Sequence, residues 1–186
     1  MDHLTRLLLA AQRGDVAALD RFVAETQGEV WKLCRFLGDA CDADDLAQET
    51  YERAIKSLPR YRAEGAARGW LLTIARRVCS DHVRRAQRRR RNDRAVFDAA
   101  QVDAAFAPDA TMVVELDELL HHLDNDRRTA FVLTQVLGLY YDEAADVIGC
   151  PVGTVRSRVS RARLDLAAMT TEPVSDSAYL GPTGTN

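Results

Sequence analysis

Arg156, Arg158, Arg161 and Arg163 fall within eight consecutive positions near the end of this 186-residue chain. A guanidinium presents a planar fork of donors that fits phosphate oxygens, or O6 and N7 of guanine. A second block, residues 76–94, carries nine arginines against two acidic side chains, net +7, and contains the run Arg88 to Arg91. Four adjacent like charges repel unless an anion neutralises them. Cys79 and His82 stand at i, i+3 and offer two metal-ligand types, but no second pair has suitable spacing. A Gly-rich phosphate loop, a metal cluster and a nucleophile–base–acid set are all missing. The expected chemistry is therefore anion and base-edge recognition, with no catalysis, no metal and no cofactor.

The formal net charge of -3 conceals this pattern. Residues 1–59 are net -4, 60–75 net +2, 95–151 net -9, 152–169 net +3 and 170–186 net -2. Two basic blocks are thus separated by a long acidic one. Of 25 basic residues only Lys32 and Lys56 are lysines, which leans toward nucleic acid. The four cysteines, Cys34, Cys41, Cys79 and Cys150, lack a CxxC pair, so a disulfide framework is not expected and a reducing compartment is. No apolar run approaches membrane-span length, and the opening MDHLTRLLLAAQRGD turns polar too soon for a signal peptide. The expectation is a cytoplasmic protein with no membrane segment.

Helices must carry these residues, because alternating strand pattern never persists. Leu4, Leu7, Leu8 and Ala11 form a first stripe ending at Gly14. Asp15 can cap a second helix, with Ala18, Leu19, Phe22 and Val23 on one face. Val30, Leu33, Cys34 and Leu37 continue to Gly38. Asp42 or Asp44 starts a third helix, closed by Pro59. It turns Leu46, Thr50, Ala54 and Leu58 inward and Asp45, Gln48, Glu49, Glu52 and Arg53 outward. Gln48 and Glu49 read as lying beside no basic neighbour that would explain them. Residues 60–69 lack a stripe and read as an Arg-lined loop flanked by the rings of Tyr61 and Trp70, suited to single-stranded nucleic acid. Trp70 also opens an apolar stripe, so core packing is its first expected role. That stripe, with Leu71, Ile74, Val78, His82 and Val83, runs into RRAQRRRR.

Residues 95–112 lose periodicity and read as a flexible acidic linker. A second helical set spans 113–169, and 170–186 reads as a disordered tail. Within this set Asp142–Ile148 meets a turn at Gly149-Cys150-Pro151, and another helix follows from Val152. Val155, Val159, Ala162 and Leu166 make its inner face. Arg156, Ser157, Ser160, Arg161 and Leu164 lie opposite, with Thr154 near the helix N-terminus, in the helix-turn-helix pattern. Cys150 reads as a small buried turn residue. The expected fold is all-α, two small helical domains (1–94 and 113–169) joined by the linker, each with a modest core.

Three motifs in this order resemble the extracytoplasmic function (ECF) group of sigma-70-type RNA polymerase sigma factors, most closely the sigma C type of actinobacteria. DDLAQETYERA resembles the helix that docks on the clamp of the polymerase β′ subunit, which implies contacts from Asp45, Gln48, Glu49 and Glu52. YRAEGAARGWLLTIARRVCSDHVRRAQRRRR resembles the element that melts and reads the minus-10 promoter sequence. Arg62 to Arg68, with Glu64 and Gly65 between them and Tyr61 and Trp70 at the flanks, would capture a flipped base of the non-template strand. Arg76, Arg77, Arg84 and Arg85 would follow its phosphates. GCPVGTVRSRVSRARLDL resembles the minus-35-reading helix, which implies Thr154, Arg156, Ser157, Ser160 and Arg161. Implied partners are core RNA polymerase, through its β′ and β subunits, promoter DNA, and an anti-sigma factor as a further candidate. Two departures bear on minus-10 preference: Gly65 stands where many members have Ser, and Arg77 where many have Asn. The competing readings are a stand-alone helix-turn-helix regulator and a small hydrolase using Cys79 and His82.

Overall fold

A computed structural model describes residues 1–38, 40–92 and 110–170. Its regular elements are all helical among those residues: α1 (His3–Gln12), α2 (Val16–Leu37), α3 (Ala43–Ser57), α4 (Ala67–Asn92), α5 (Ala110–His121), α6 (Asn125–Phe131), α7 (Tyr141–Ile148) and α8 (Val152–Thr170). Thr170, the first residue of the expected tail, closes α8, while 171–186 and all of the linker before α5 lie outside the described residues. The second helical set begins at Ala110, three residues before the expected Val113.

Local chemistry sets the helix ends. Asp15 adopts an extended conformation and accepts from the Ala18 amide at 3.0 Å, so it caps α2 as its residue type predicts. Asp2 does the same for α1, accepting from the Thr5 amide at 2.9 Å. Gly14, at φ +100, lets the chain reverse between them. Pro59 stops α3 and a short 3-10 turn, Leu58–Arg60, follows. Gly38 is confined: a Cβ there would lie 2.4 Å from Leu46 Cδ1 and 2.7 Å from the Cys34 carbonyl oxygen.

The first four helices pack around Leu8, Phe22, Val30, Leu33, Leu71, Leu72 and Val78. Inside this core the Cys34 and Cys79 thiols hydrogen-bond across the contact of α2 with α4. That bond lowers the Cys34 pKa, and with burial it pushes Cys79 up. All four cysteines are free thiols. The second set buries Leu120, Leu133, Val147, Val155 and Val159. A π-helical turn, Val132–Val136, follows α6 and leads through Gly138, φ +70, to α7.

The sequence assigned each set its own modest core. In the structure the two cores are continuous. α7 lies against α4, and α2 touches α5, α6 and the π turn. Arg35 on α2 pairs with the buried Asp117 on α5 at 3.7 Å. The halves are thus apposed through side chains distant in sequence, which local periodicity does not reveal.

Candidate nucleic-acid interface

α8 presents two faces, set by its apolar stripe. Val155, Val159 and Ala162 are buried, while Arg156, Ser157, Ser160 and Arg161 are exposed. The turn before it is built on Gly149, which takes the left-handed conformation at φ +79 and donates to the Ala145 carbonyl at 2.8 Å. Pro151 then accepts from the Thr154 amide at 2.9 Å. Thr154 itself is half-buried, and the Ser157 hydroxyl turns back to the Thr154 carbonyl at 2.9 Å.

The four arginines of α8 divide by partner. Arg158 pairs with Asp126 and reaches Cys150 Sγ at 3.7 Å. Arg163 donates to Gln135 Oε1 at 2.6 Å. Both hold α8 on the domain, helped by Arg127 to Asp165 at 2.5 Å. Cys150 is half-buried and joins this network instead of only filling the turn. Arg156 lies 5.8 Å from the centre of the half-buried Tyr141 ring. Arg161 is exposed and makes no ion pair among the described residues.

The loop between α3 and α4 is shorter than expected. It spans 61–66, and Ala67, Arg68, Gly69 and Trp70 already form the first turn of α4. The reason lies in α1, which the sequence reading did not connect to this site. Thr5 Oγ1 accepts from the Ala67 amide at 3.0 Å and so caps α4 from 62 residues away. Gln12 donates to the carbonyls of Leu58 and Tyr61 at 2.9 and 2.8 Å. Tyr61 is buried, meets Trp70 at a tilt of 53° with centroids 5.0 Å apart, and donates to the Gly65 carbonyl at 3.1 Å. Its ring therefore supports the loop from beneath. Ala63 takes φ +54, outside the usual range for a side-chain-bearing residue. Arg62, Glu64 and Gly65 are exposed, and a Cβ at Gly65 would meet nothing within 4 Å.

Two expected strand contacts are occupied internally. Arg68 holds Glu29 with two bonds of 3.0 and 2.6 Å, which raise its pKa, and donates to the Leu137 carbonyl at 2.7 Å. Arg76 donates to the Val147 carbonyl at 3.1 Å, and burial, with Arg77 adjacent, lowers its pKa. Arg77, Arg84 and Arg85 remain exposed. A cavity of about 650 Å³ separates the loop from α7, bounded by Tyr61, Glu64, Trp70, Glu143 and Val147.

On α3, Asp45, Gln48 and Glu52 are exposed, and Glu52 pairs with Lys56 at 3.8 Å. Glu49 overturns its expectation. It has two basic neighbours, Arg53 at 2.5 Å and Arg85 at 3.5 Å, because α4 runs alongside α3. Cys79 and His82 do not converge: Cys79 turns into the core, and His82 Nε2 contacts Asp42 at 3.1 Å.

The family model described as Sigma-70 region 2 matches residues 22–89, and that described as Sigma-70, region 4 matches 114–166. The ECF RNA polymerase sigma factor SigC of Mycobacterium tuberculosis is 45% identical over 168 residues, 90% of this chain and 91% of the relative. The chain belongs to the ECF RNA polymerase sigma factors. The RNA polymerase sigma-H factor of Pseudomonas aeruginosa is 36% identical, covering 85% of this chain and 89% of its own. CnrH, solved with the cytosolic domain of CnrY, matches with a TM-score of 0.73 at 25% identity, over 91% of this chain and 97% of that one. The sigma factor RpoE of Bartonella quintana, solved with the anti-sigma factor NepR, gives 0.73 at 25% identity over 83% and 98%. As a sigma factor of this group the chain directs promoter-specific transcription initiation, and a stand-alone regulator is not favoured. No helix among the described residues is long and apolar enough to cross a membrane.

Proposed function

We propose that this sigma factor divides promoter reading between its two halves. Residues 1–94 dock on the β′ clamp of core RNA polymerase through Asp45, Gln48, Glu49 and Glu52. The same domain reads the minus-10 non-template strand through the 61–66 loop, with Arg62, Glu64 and Gly65, and through the arginines of α4, Arg68 among them. Residues 113–169 read minus-35 duplex with Arg156, Ser157, Ser160 and Arg161. The protein acts in the cytoplasm, performs no catalysis, and is open to capture by an anti-sigma factor, a reading supported by the likeness to RpoE, which is solved with the anti-sigma factor NepR.

One observation carries the reading: α8 commits Arg158 and Arg163 to its own domain while Arg156 and Arg161 stay exposed opposite the buried stripe. A helix held this way offers guanidiniums to base edges at a fixed register. Each surface alone binds DNA weakly, and docking on one polymerase joins them through high effective concentration. A flipped base costs a few kcal/mol, so an already unpaired strand is preferred at the loop. The bonds of Arg68 and Arg76 to the second domain require the halves to part before the loop reads DNA.

Run-off transcription tests this. Core polymerase plus the full chain should give a defined transcript from a promoter selected with this factor, and neither component alone should. A protein that shifts duplex DNA without polymerase and yields no run-off product is a stand-alone regulator, and the proposal falls.

A further inference from the structure

A cleft of about 440 Å³ lies between α3 and α4, lined by Arg53, Arg84, Arg85, Arg88, Glu49 and Asp81. Four guanidiniums there face two carboxylates, so the cleft carries an excess of positive charge. Its pairs are ordered. Asp81 accepts from Arg53 Nη1 at 3.0 Å, and its carbonyl accepts from Arg85 Nε at 3.3 Å. Glu49 accepts from Arg53 Nη2 at 2.5 Å, and the same oxygen sits 3.5 Å from Arg85 Nη2. Arg53 thus keeps Asp81 whatever happens to Glu49. Arg85 keeps only a backbone carbonyl, and its side chain is half exposed, at 49%.

We propose that Glu49 is an internal counterion that holds Arg85 away from DNA, so that polymerase docking and single-strand binding are coupled through this one carboxylate. The inference rests on α3 as the docking surface and α4 as the strand path. A basic group on the polymerase that pairs with Glu49 takes it from Arg85. The freed guanidinium then meets a backbone phosphate in a cleft already rich in Arg53, Arg84 and Arg88. By linkage, a strand phosphate on Arg85 releases Glu49 to the polymerase in equal measure. Arg53 and Asp81 are positioning residues that keep α3 and α4 in register during the exchange.

The test uses the full chain and a fluorescein-labelled single-stranded oligonucleotide, titrated by anisotropy across a salt series without polymerase. Glu49→Gln should bind about threefold tighter than wild type at low salt, the worth of one exposed pair. Its log K against log salt should steepen by about 0.7, one additional phosphate contact on a single strand. Asp20→Asn removes the same charge from the exposed face of α2 and should change neither quantity. In an Arg85→Ala background the Glu49→Gln gain should vanish. A gain equal to that of Asp20→Asn, or one that persists without Arg85, overturns the inference and leaves the docking surface standing. Affinity of Glu49→Gln for core polymerase is read separately. A fall supports the coupling. A strand gain with unchanged polymerase affinity removes α3 from the docking surface and overturns the coupling with it.

Discussion

Arg161 and Arg163 are two positions apart on α8 and do different work. Arg163 is anchored to Gln135, whereas Arg161 projects opposite the buried stripe. Arg161→Ala should cost about 1–3 kcal/mol at one base position of the minus-35 site and relax specificity there. Arg163→Ala should instead lower thermal stability with the base preference intact. Affinity measured against a panel of single-base variants separates the two, and a uniform loss for Arg161→Ala reduces it to a phosphate contact. The stripe Val155, Val159, Ala162 made the exposed face legible in the sequence. Which arginines that face could spare was not, because Asp126 and Gln135 lie 32 and 28 residues away and meet α8 only in the fold. Two glycines make a similar contrast. Gly65→Ser has open space around it and should leave the melting temperature unchanged while altering minus-10 base preference. Gly38→Ala would drive a Cβ into the Cys34 carbonyl and should destabilise by about 1–3 kcal/mol, read by chemical denaturation.

At the scale of elements, caps and stripes placed α1, α2, α3 and α8 well, since Asp15, Gly14, Pro59 and Gly149 each act on their own neighbours. The start of α4 was read too late because its cap is supplied from α1. Thr5 receives the Ala67 amide and also donates to Asp2 Oδ2 at 2.5 Å, so one hydroxyl ties the chain start to the loop. No spacing rule links positions 5 and 67. Thr5→Val keeps the shape and removes the hydroxyl. It leaves the buried Ala67 amide without its partner and should cost about 1–3 kcal/mol. Hydrogen exchange should report faster opening of the amides from Ala67 to Trp70, with α8 unaffected. Unchanged exchange there would detach α1 from the support of the loop.

For the whole molecule, the sequence delivered two helical sets and two basic blocks separated by acidic chain. It did not deliver their apposition, which joins a continuous apolar core to a few polar contacts between side chains distant in sequence. Arg35 is one such contact and stands outside every surface proposed to meet DNA or polymerase. Replacing it with Ala leaves Asp117 without its cross-domain guanidinium, in a setting where both side chains are largely buried. The variant should scatter X-rays with a larger radius of gyration, and its loop should bind single strands more tightly as Arg68 and Arg76 are released. An unchanged radius would assign the closure to the apolar contact of α7 with α4 instead.

The π-helical turn at Val132–Val136 has a further consequence for how such a factor changes over generations. A π turn holds one residue more than the α turn it replaces. Here that extra residue precedes both Leu137, whose carbonyl receives Arg68, and α7. The wider turn absorbs that residue locally, so deleting it would restore α geometry and leave the chain after it close to its present direction from α6. A single codon can therefore be gained or lost at this turn with the DNA-reading hairpin still meeting the rest of the protein as it does now, whereas the same change inside the regular helix α8 would rotate its later arginines by about 100°.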